Sequence, residues 1–230
     1  MAGKEIGLVV GAGEGLSASV ARIMAREGMA VALAARSPQK LADLAKQTNA
    51  KTYGCDASDA KQVASLFDSL DRDFGTPDWV LYNPSRRSRG PLVDLDADAV
   101  RQDLLVTCYG GFLVAQQAAK RMVRAGRGSI FFTGASASVK GYARSAPFAM
   151  GKFGLRGLAQ SMARELQPQN IHIAHFVIDG SIGAPNGGKG SGRDDRLDPD
   201  AMAETYLAIH RQHRSAWTWE VELRPWTETF

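Results

Sequence analysis

Short apolar segments alternate with helix-length segments along most of the chain. The apolar segments predict strands over residues 6–10, 30–35, 51–54, 79–82, 129–133 and 171–178. Apolar positions on one side of the intervening segments predict helices over 16–27, from 58 to about 74, from 96 or 98 to about 125, and over 146–166. Pro38 is suited to open a further short helix. Continuous apolar strands separated by helices predict an α/β protein with a doubly wound, mostly parallel sheet that helices cover on both faces.

The C-terminal part of the chain adds two features to this pattern. Residues 218–224 alternate like an edge strand, which would be the seventh, and Trp217, Trp219 and Trp226 lie in or beside it. Exposed aromatic side chains at a sheet edge suggest a subunit contact. The segment 183–199 begins with a glycine-rich stretch, which we interpret either as a lid over a substrate or as a passive flexible loop. No linker divides the chain, so residues 1–230 are predicted to form a single domain.

Composition and charge narrow the classes of function. With 44% hydrophobic and 23% charged residues, the 230-residue chain has the composition of a soluble globular protein. The net charge is +4, and the one dense basic group, Arg86, Arg87 and Arg89, is either a solvated loop or a loop that faces a phosphate. No basic helix or aromatic platform accompanies it, so nucleic-acid binding is not expected. No apolar run approaches the roughly 20 residues that span a membrane, so a membrane is not an expected partner either.

Cysteine and histidine spacing argue against disulfides and metal sites. Cys55 and Cys108 form no CxxC or similar pattern, so neither a disulfide framework nor a zinc site is expected, and a reducing compartment fits. The first residues carry charge almost at once and show no signal-peptide pattern, so we expect a cytoplasmic protein. His210 and His213 lie three residues apart, but no carboxylate or cysteine completes a metal site, and we interpret them as a surface or interface pair.

A glycine-rich turn follows the first predicted strand directly and leads into the first predicted helix. In such a turn the backbone approaches a pyrophosphate closely, and the N–H groups at the helix start face the anion. Because a strand precedes the motif and a helix follows it, the motif predicts a dinucleotide-binding site, with a tight structural turn as the alternative. The candidate contacts are Gly11, Gly13, Glu14, Gly15 and Leu16.

The end of the second predicted strand bears on the choice of dinucleotide. NAD-dependent sites place a carboxylate there, which binds the ribose 2′-hydroxyl, but this chain has Ala35. Arg36 follows and could pair with a 2′-phosphate through charge-assisted hydrogen bonds. We therefore favour NADP(H) over NAD(H), with a solvated Arg36 as the alternative.

The turn spacing Gly11-xxx-Gly15-x-Ser17, together with residues 152–161, resembles the short-chain dehydrogenase/reductase family. The resemblance extends from residue 3 to about residue 223 and implies a Rossmann fold with a seven-stranded sheet. Ser17 stands where the family has its last glycine, and its hydroxyl could cap the helix or touch a phosphate. By the same resemblance, further cofactor contacts are implied for Asp56, Ala57, Asn83, Pro84, Lys152, Gly180 and Ile182.

The resemblance also implies a proton-transfer group of Asn, Ser, Tyr and Lys, in which the Tyr and the Lys lie four residues apart on one helix face. The lysine lowers the pKa of the tyrosine, and the phenol gives its proton to the carbonyl that receives the hydride. Lys152 is present here, but the Tyr position holds Phe148, the Ser position Ala135 and the Asn position Thr107. Tyr142 lies ten residues before Lys152, which does not place both on one face, and we interpret it as a loop residue.

These observations support two hypotheses of different classes. The first is an NADP(H)-dependent oxidoreductase of the short-chain type, which acts on a small carbonyl or alcohol with an altered proton donor, either Lys152 or a bound water. The second is a catalytically inactive NADP-binding protein that serves as a sensor or as a partner subunit. The resemblance further implies a homodimer or homotetramer, formed through the long helix and the helix that carries Lys152.

Overall fold

The computed structural model describes residues 3–183 and 195–229, and these build one seven-stranded sheet. The strands are β1 Ile6–Val10, β2 Ala30–Ala35, β3 Lys51–Gly54, β4 Trp79–Tyr82, β5 Gly128–Thr133, β6 Ile171–Ile178 and β7 Glu220–Leu223. They lie in the order β3-β2-β1-β4-β5-β6-β7, and every neighbouring pair is parallel. The predicted doubly wound α/β fold is confirmed, and the sheet is wholly parallel.

Helices cover both faces of this sheet. They are α1 Leu16–Arg26, α2 Ala42–Thr48, α3 Ala60–Asp73, α4 Ala97–Leu104, α5 Gly110–Ala125, α6 Ala146–Leu166 and α7 Pro199–His210. One apolar layer packs α3, α5 and α6 against the sheet, and a second layer packs α1 and α7 against the opposite face. In β1, Leu8 and Val10 belong to the first layer and Val9 to the second, because successive side chains of a strand point to opposite faces.

The long helix predicted to run to about residue 125 is interrupted by a π-helical turn. This turn, Leu105–Tyr109, lies between α4 and α5, and Asp96 caps α4 by accepting the N–H of Ala99 at 2.7 Å. The hydroxyl of Tyr82 donates to the carbonyl of Val106 inside the turn. A side chain that enters the helical hydrogen-bond ladder widens or bends it, which gives the interruption a physical cause.

Helix α3 begins at Ala60, two residues after the predicted start at Ser58, and Ser58 does not cap it. The hydroxyl of Ser58 donates to a carboxylate oxygen of Asp56 at 2.6 Å and is therefore engaged elsewhere. Asp59 caps the helix by accepting the N–H groups of Lys61 and Gln62 at 2.8 and 3.1 Å. A carboxylate in this position also interacts favourably with the helix dipole.

The C-terminal strand extends the sheet beside β6 and falls inside the predicted range 218–224. Trp217 stacks on His172 with the ring centroids 4.7 Å apart, and Trp219 packs against the apolar layer of α3, α5 and α6. Trp226 is 78% exposed. Of these three tryptophans, only Trp226 has the exposure that the predicted subunit contact at the sheet edge requires.

The glycine-rich loop predicted over 183–199 is only partly described. Residues 184–194, and with them most of the predicted lid, lie outside the described residues. On either side of them, the N–H of Gly183 donates to the carbonyl of Leu197 at 2.8 Å, and the N–H of Leu197 donates to the carbonyl of Ser181 at 2.9 Å. These two bonds hold the flanking residues together beyond the end of β6.

The two C-terminal histidines do not form the predicted surface pair. His210 ends α7 and stacks on buried Trp79 with the ring centroids 4.6 Å apart, and burial lowers the pKa of His210 to about 4. His213 instead caps the following turn by accepting the N–H of Ser215. No group of three His, Cys, Asp or Glu among the described residues could hold a metal ion. None of the helices in the same residues is long and apolar enough to cross a bilayer.

Candidate active site

A cleft of about 1080 Å³ lies along the edge of the sheet where the carboxyl ends of β1 to β4 meet. Parallel α/β sheets bind ligands outside these ends, at the point where the strand order reverses. Here β1 lies between β2 and β4, which is such a point. Among the predicted contacts that line the cleft are Gly11, Gly13, Glu14, Asp56, Ala57 and Pro84.

The glycine turn forms the floor of this cleft. Gly11 has φ +77°, and a Cβ atom there would lie 2.7 Å from a ring carbon of Pro84, so both the backbone and the space require glycine. Gly13 faces open space, since a Cβ atom there would meet nothing within 4 Å. α1 begins at Leu16 with Gly15 as its N-cap and without a side-chain cap. The uncapped first turn leaves amide hydrogens for an anion, so the residues present fit a dinucleotide phosphate.

Ser17 does neither of the things predicted for its hydroxyl. It is buried, donates to the carbonyl of Gly11 at 3.0 Å and accepts from the side-chain amide of Asn83 at 2.6 Å. It therefore ties the glycine turn to the end of β4 rather than capping α1 or facing a phosphate. This positioning role of Asn83 was not visible in the sequence, because the two residues lie 66 positions apart.

The residues after β2 place two cations, Arg36 and Lys40, and one carboxylate, Asp43, along one end of the cleft, so its charge is net positive. Arg36 and Lys40 both line the cleft, and neither forms an ion pair within the part of the chain that the structure describes. Arg22 also lines the cleft but is paired with Asp200 at 3.4 Å. Lys40 was missed at the sequence level, although its place one turn after Arg36 was a usable signal.

Asp56, one of the cofactor contacts that the family resemblance implies, also lies in the cleft. One of its carboxylate oxygens accepts the N–H and the hydroxyl of Ser58 at 2.9 and 2.6 Å, and its own N–H donates to Gln62 at 2.9 Å. These bonds fix the direction of the carboxylate. The neighbouring Cys55 is buried, and burial raises its pKa to about 11, so it is a neutral thiol in this wall.

A second cavity of about 470 Å³ adjoins the cleft, and the two share Asn83 and Ser85. Ala135, Phe148 and Lys152, which lie on the loop after β5 and on α6, all line it. The predicted Gly180 and Ile182 line the same cavity from the end of β6. The structure thus brings together three of the four residues predicted at the proton-transfer positions. 

Lys152 is the chemically distinctive group of this cavity. Its side chain is almost fully buried, and its ammonium donates to the carbonyl of Thr133 at 2.7 Å. The Nζ atom lies 5.8 Å from the centroid of the Phe148 ring. Burial disfavours the charged form and lowers the pKa of Lys152 to about 7. A lysine in this state can both hold and release a proton near neutral pH.

Besides Lys152, the side chains of Tyr142, Asp179 and Glu228 line this cavity and carry groups that can transfer a proton. Ala135 has no hydroxyl, and its N–H donates to the hydroxyl of Ser138 at 3.1 Å. Ser136 also lines the cavity. Tyr142 lies on the loop before α6, as predicted, and its half-exposed ring lines the same cavity.

Thr107 lies apart from this group. It is fully buried in the π-helical turn and does not line the second cavity. Its hydroxyl donates to the carbonyl of Arg86 at 3.0 Å and accepts the N–H of Arg86 at 3.1 Å. The two bonds anchor the loop after β4, so Thr107 positions that loop rather than facing a ligand.

Comparisons with known proteins agree with this geometry. A family model described as short chain dehydrogenase matches residues 5–182. The trans-4-hydroxycyclohexanecarboxylate dehydrogenase of Sinomonas cyclohexanicum is 28% identical over 193 residues, which cover 79% of this chain and 74% of that protein. The sepiapterin reductase of Chlorobaculum tepidum is 26% identical over an alignment of 239 positions, which covers 96% of this chain and 96% of that protein.

A solved structure gives the same result at the level of the fold. The short-chain dehydrogenase from Rhodopseudomonas palustris superposes with a TM-score of 0.86 at 33% identity, over 96% of this chain and 99% of that chain. The family model alone covers well over half of the chain. The chain is therefore a member of the short-chain dehydrogenase family.

Proposed function

We propose that the protein is an NADP(H)-dependent oxidoreductase that acts on a small carbonyl or alcohol, with Lys152 in place of the usual tyrosine as the proton donor. The observation that carries this proposal is the continuity of the two cavities. The cleft above the glycine turn opens at Asn83 and Ser85 into the cavity that holds Lys152. A bound nicotinamide supplies the hydride, and the protein must supply the position and the proton.

The charge of the cleft supports NADP(H) over NAD(H). Ala35 cannot accept a hydrogen bond from a ribose 2′-hydroxyl, whereas Arg36 and Lys40 have no carboxylate partner among the described residues. A 2′-phosphate would give these two cationic side chains an anionic partner. Asp56 and Ala57 would then contact the adenine end and Gly180 and Ile182 the nicotinamide end, with the amides of Gly13 to Leu16 at the pyrophosphate.

We assign proton donation to Lys152 rather than to Tyr142, Asp179 or Glu228 of the second cavity, because Lys152 stands at the family's lysine position beside Phe148. Phe148 has no proton to donate, and the hydroxyl of Thr107 is hydrogen-bonded to the backbone of Arg86. Lys152 is in the cavity, and a general acid works best with a pKa near the working pH. Its ammonium would protonate the carbonyl oxygen as the hydride arrives, and the neutral amine would take a proton back from water.

With NADPH, the wild-type protein is expected to reduce small carbonyl compounds, and kcat should fall as the pH rises through about 7, because Lys152 then loses the proton that it donates. Lys152→Met should lower kcat at saturating NADPH by about 10²-fold or more. NADPH absorbance against a panel of small ketones and aldehydes measures both. Lys120→Met, on the exposed face of α5, is the matched control. Full turnover in Lys152→Met would contradict the role given to Lys152.

A second candidate function, an inactive NADP-binding protein that acts as a sensor or partner subunit, is favoured by one observation. Phe148 packs its ring where a proton donor would be needed, 5.8 Å from the Lys152 ammonium. Tight NADPH binding without turnover of any carbonyl at pH 6 to 8 would favour this candidate and contradict the oxidoreductase.

Exposed apolar side chains on α5, α6 and the π-helical turn support a proposal for the oligomeric state. Tyr109, Phe112, Met150 and Phe153 are between 40% and 53% exposed. We propose that they form the contact of a homodimer or homotetramer. Phe153→Glu should therefore lower the mass in solution toward that of one chain, as measured by light scattering. Val93→Glu, at a 90% exposed position away from these helices, is the control. A monomeric wild-type protein would contradict the proposal.

The proposed place of action is the cytoplasm. Cys55 and Cys108 are both free in the structure, and free thiols are typical of a reducing compartment. In the cytoplasm the protein would also have access to NADPH, the proposed cofactor.

A further inference from the structure

A recess of about 580 Å³ adjoins the active-site cavity on the far side of Phe148. The two share Phe148, Arg87, Ser136 and Tyr142, so a ligand can reach from one into the other. The recess is also lined by Arg89 and Arg144. Among the described residues that line it there are three arginines and three hydroxyls but no carboxylate.

The three arginines of this recess are exposed, and no carboxylate of the described residues neutralises their charge. Arg87, Arg89 and Arg144 form no ion pair within residues 3–183 and 195–229, whereas the adjacent Arg86 pairs with Asp103 at 3.3 Å. The guanidinium of Arg87 instead lies 5.2 Å from the centroid of the Phe148 ring. An aromatic face can hold a guanidinium in place without neutralising its charge, which leaves the charge for a ligand. The contact with Arg87 therefore gives Phe148 a role other than proton transfer, which is to hold the guanidinium in place.

The loop that carries Arg87 and Arg89 is anchored by buried groups. Asp103, which is fully buried in α4, accepts the N–H of Ser88, and Thr107 holds the backbone of Arg86 by two hydrogen bonds. A buried carboxylate is costly unless it is hydrogen-bonded and paired, and here both of its partners belong to this loop. The loop is therefore held in a fixed position over the recess.

Arg144 reaches the recess from the opposite side through an uncommon backbone conformation. It has φ +61°, and its carbonyl accepts the N–H of Gly90 at 3.1 Å. The other non-glycine residues with positive φ in the described part of the chain, Asn49 and Asn170, end helical segments. Asparagine tolerates this region and arginine rarely adopts it. Strained backbone of this kind collects at ligand sites, where the surrounding structure enforces it.

We propose that the substrate carries an oxoanion, a carboxylate or a phosphate ester, which binds in this recess against Arg87, Arg89 and Arg144. The reacting carbonyl or alcohol then extends past Phe148 to Lys152. The placement of the reacting end rests on the proposed function. The anion site itself depends only on the charge and geometry of the recess.

Two pairs of compounds test this inference by calorimetric titration into the protein saturated with NADP⁺, which occupies the Arg36 end of the cleft. One pair is 4-oxopentanoate and pentan-2-one, and the other is dihydroxyacetone phosphate and dihydroxyacetone. The anionic member of at least one pair should bind about tenfold or more tightly than its neutral counterpart, because charge-assisted hydrogen bonds to arginine are strong. The pair with the larger ratio distinguishes a carboxylate from a phosphate.

Variants separate the recess from a general effect of positive charge. Arg87→Gln should remove most of the preference for the anion, and Arg144→Gly should weaken it while keeping a backbone that glycine adopts freely. Arg101→Gln, on the exposed side of α4, should leave it unchanged. Equal binding of anionic and neutral compounds, or an anion preference that survives Arg87→Gln, would overturn the inference. Failure to bind NADP⁺ would instead overturn the proposed function, and the same titrations without nucleotide would still test the recess.

Discussion

Replacing Phe148 by Tyr and Ala135 by Ser together is expected to raise kcat for carbonyl reduction by about 10²-fold or more, the contribution of a positioned general acid. The Phe148 ring lies 5.8 Å from the Lys152 ammonium, so a phenol on that ring would share the cavity with a positive charge. That charge would lower the pKa of the phenol and favour proton release. Ala135 lines the same cavity, so a serine hydroxyl there can bind the substrate oxygen.

Single-turnover and steady-state reduction by NADPH measure the gain. The control is Val93→Tyr, which adds a phenol at a 90% exposed position outside the cavity. The single variant Phe148→Tyr should show part of the gain. An unchanged or lower kcat in the double variant would contradict the placement of Phe148 and Ala135 at the proton-transfer positions.

Gly13→Leu is expected to weaken NADPH binding by about a hundredfold or more, because its side chain would fill the space in which the backbone approaches the pyrophosphate. A Cβ atom at Gly13 meets nothing within 4 Å, and Gly13 lines the cleft, so the protein should fold normally. Loss of binding can then be assigned to the blocked cleft.

Calorimetric titration with NADPH, with a thermal melt of the protein alone, measures both expectations for Gly13→Leu. Gly3→Leu is the control, since a Cβ atom there is equally free of neighbours and the residue does not line the cleft. Binding of NADPH to Gly13→Leu at the wild-type affinity would contradict the placement of the nucleotide over the glycine turn.

The parts of the fold with strong local signals could be predicted from the sequence. Strands β1, β2, β4, β5 and β6 appear within a residue of their predicted bounds, because strands buried on both faces are largely apolar. The turn from Gly11 to Gly15 was readable because strand, glycines and helix are consecutive. The place of Arg36 in the cleft could be predicted as well, because it follows β2 directly and the end of that strand reaches the cleft.

The features that the sequence could not predict depend on contacts between distant segments. Ser17 looked like a helix cap or a phosphate ligand, yet its partner is Asn83. His210 looked like a surface residue, yet it stacks on Trp79. Neither contact has a local pattern, because the tertiary fold alone brings these residues together.

The arginine recess shows the same limit more clearly. Arg87 was visible in a basic loop that could have been merely solvated, and Arg144 gave no signal in the sequence. Their convergence on one recess follows from the hydrogen bond between Gly90 and Arg144 and from the buried Asp103. Neither the Gly90–Arg144 hydrogen bond nor the burial of Asp103 can be predicted from the neighbouring sequence.

Titration of NADPH and of NADH into the wild-type protein tests most directly whether the cleft above the glycine turn binds a nicotinamide dinucleotide. One NADPH should bind per chain, about tenfold or more tightly than NADH, because Arg36 and Lys40 would pair with the 2′-phosphate that only NADPH carries. Heat signals absent with both nucleotides would contradict the dinucleotide site. Tighter binding of NADH would contradict the role assigned to Arg36.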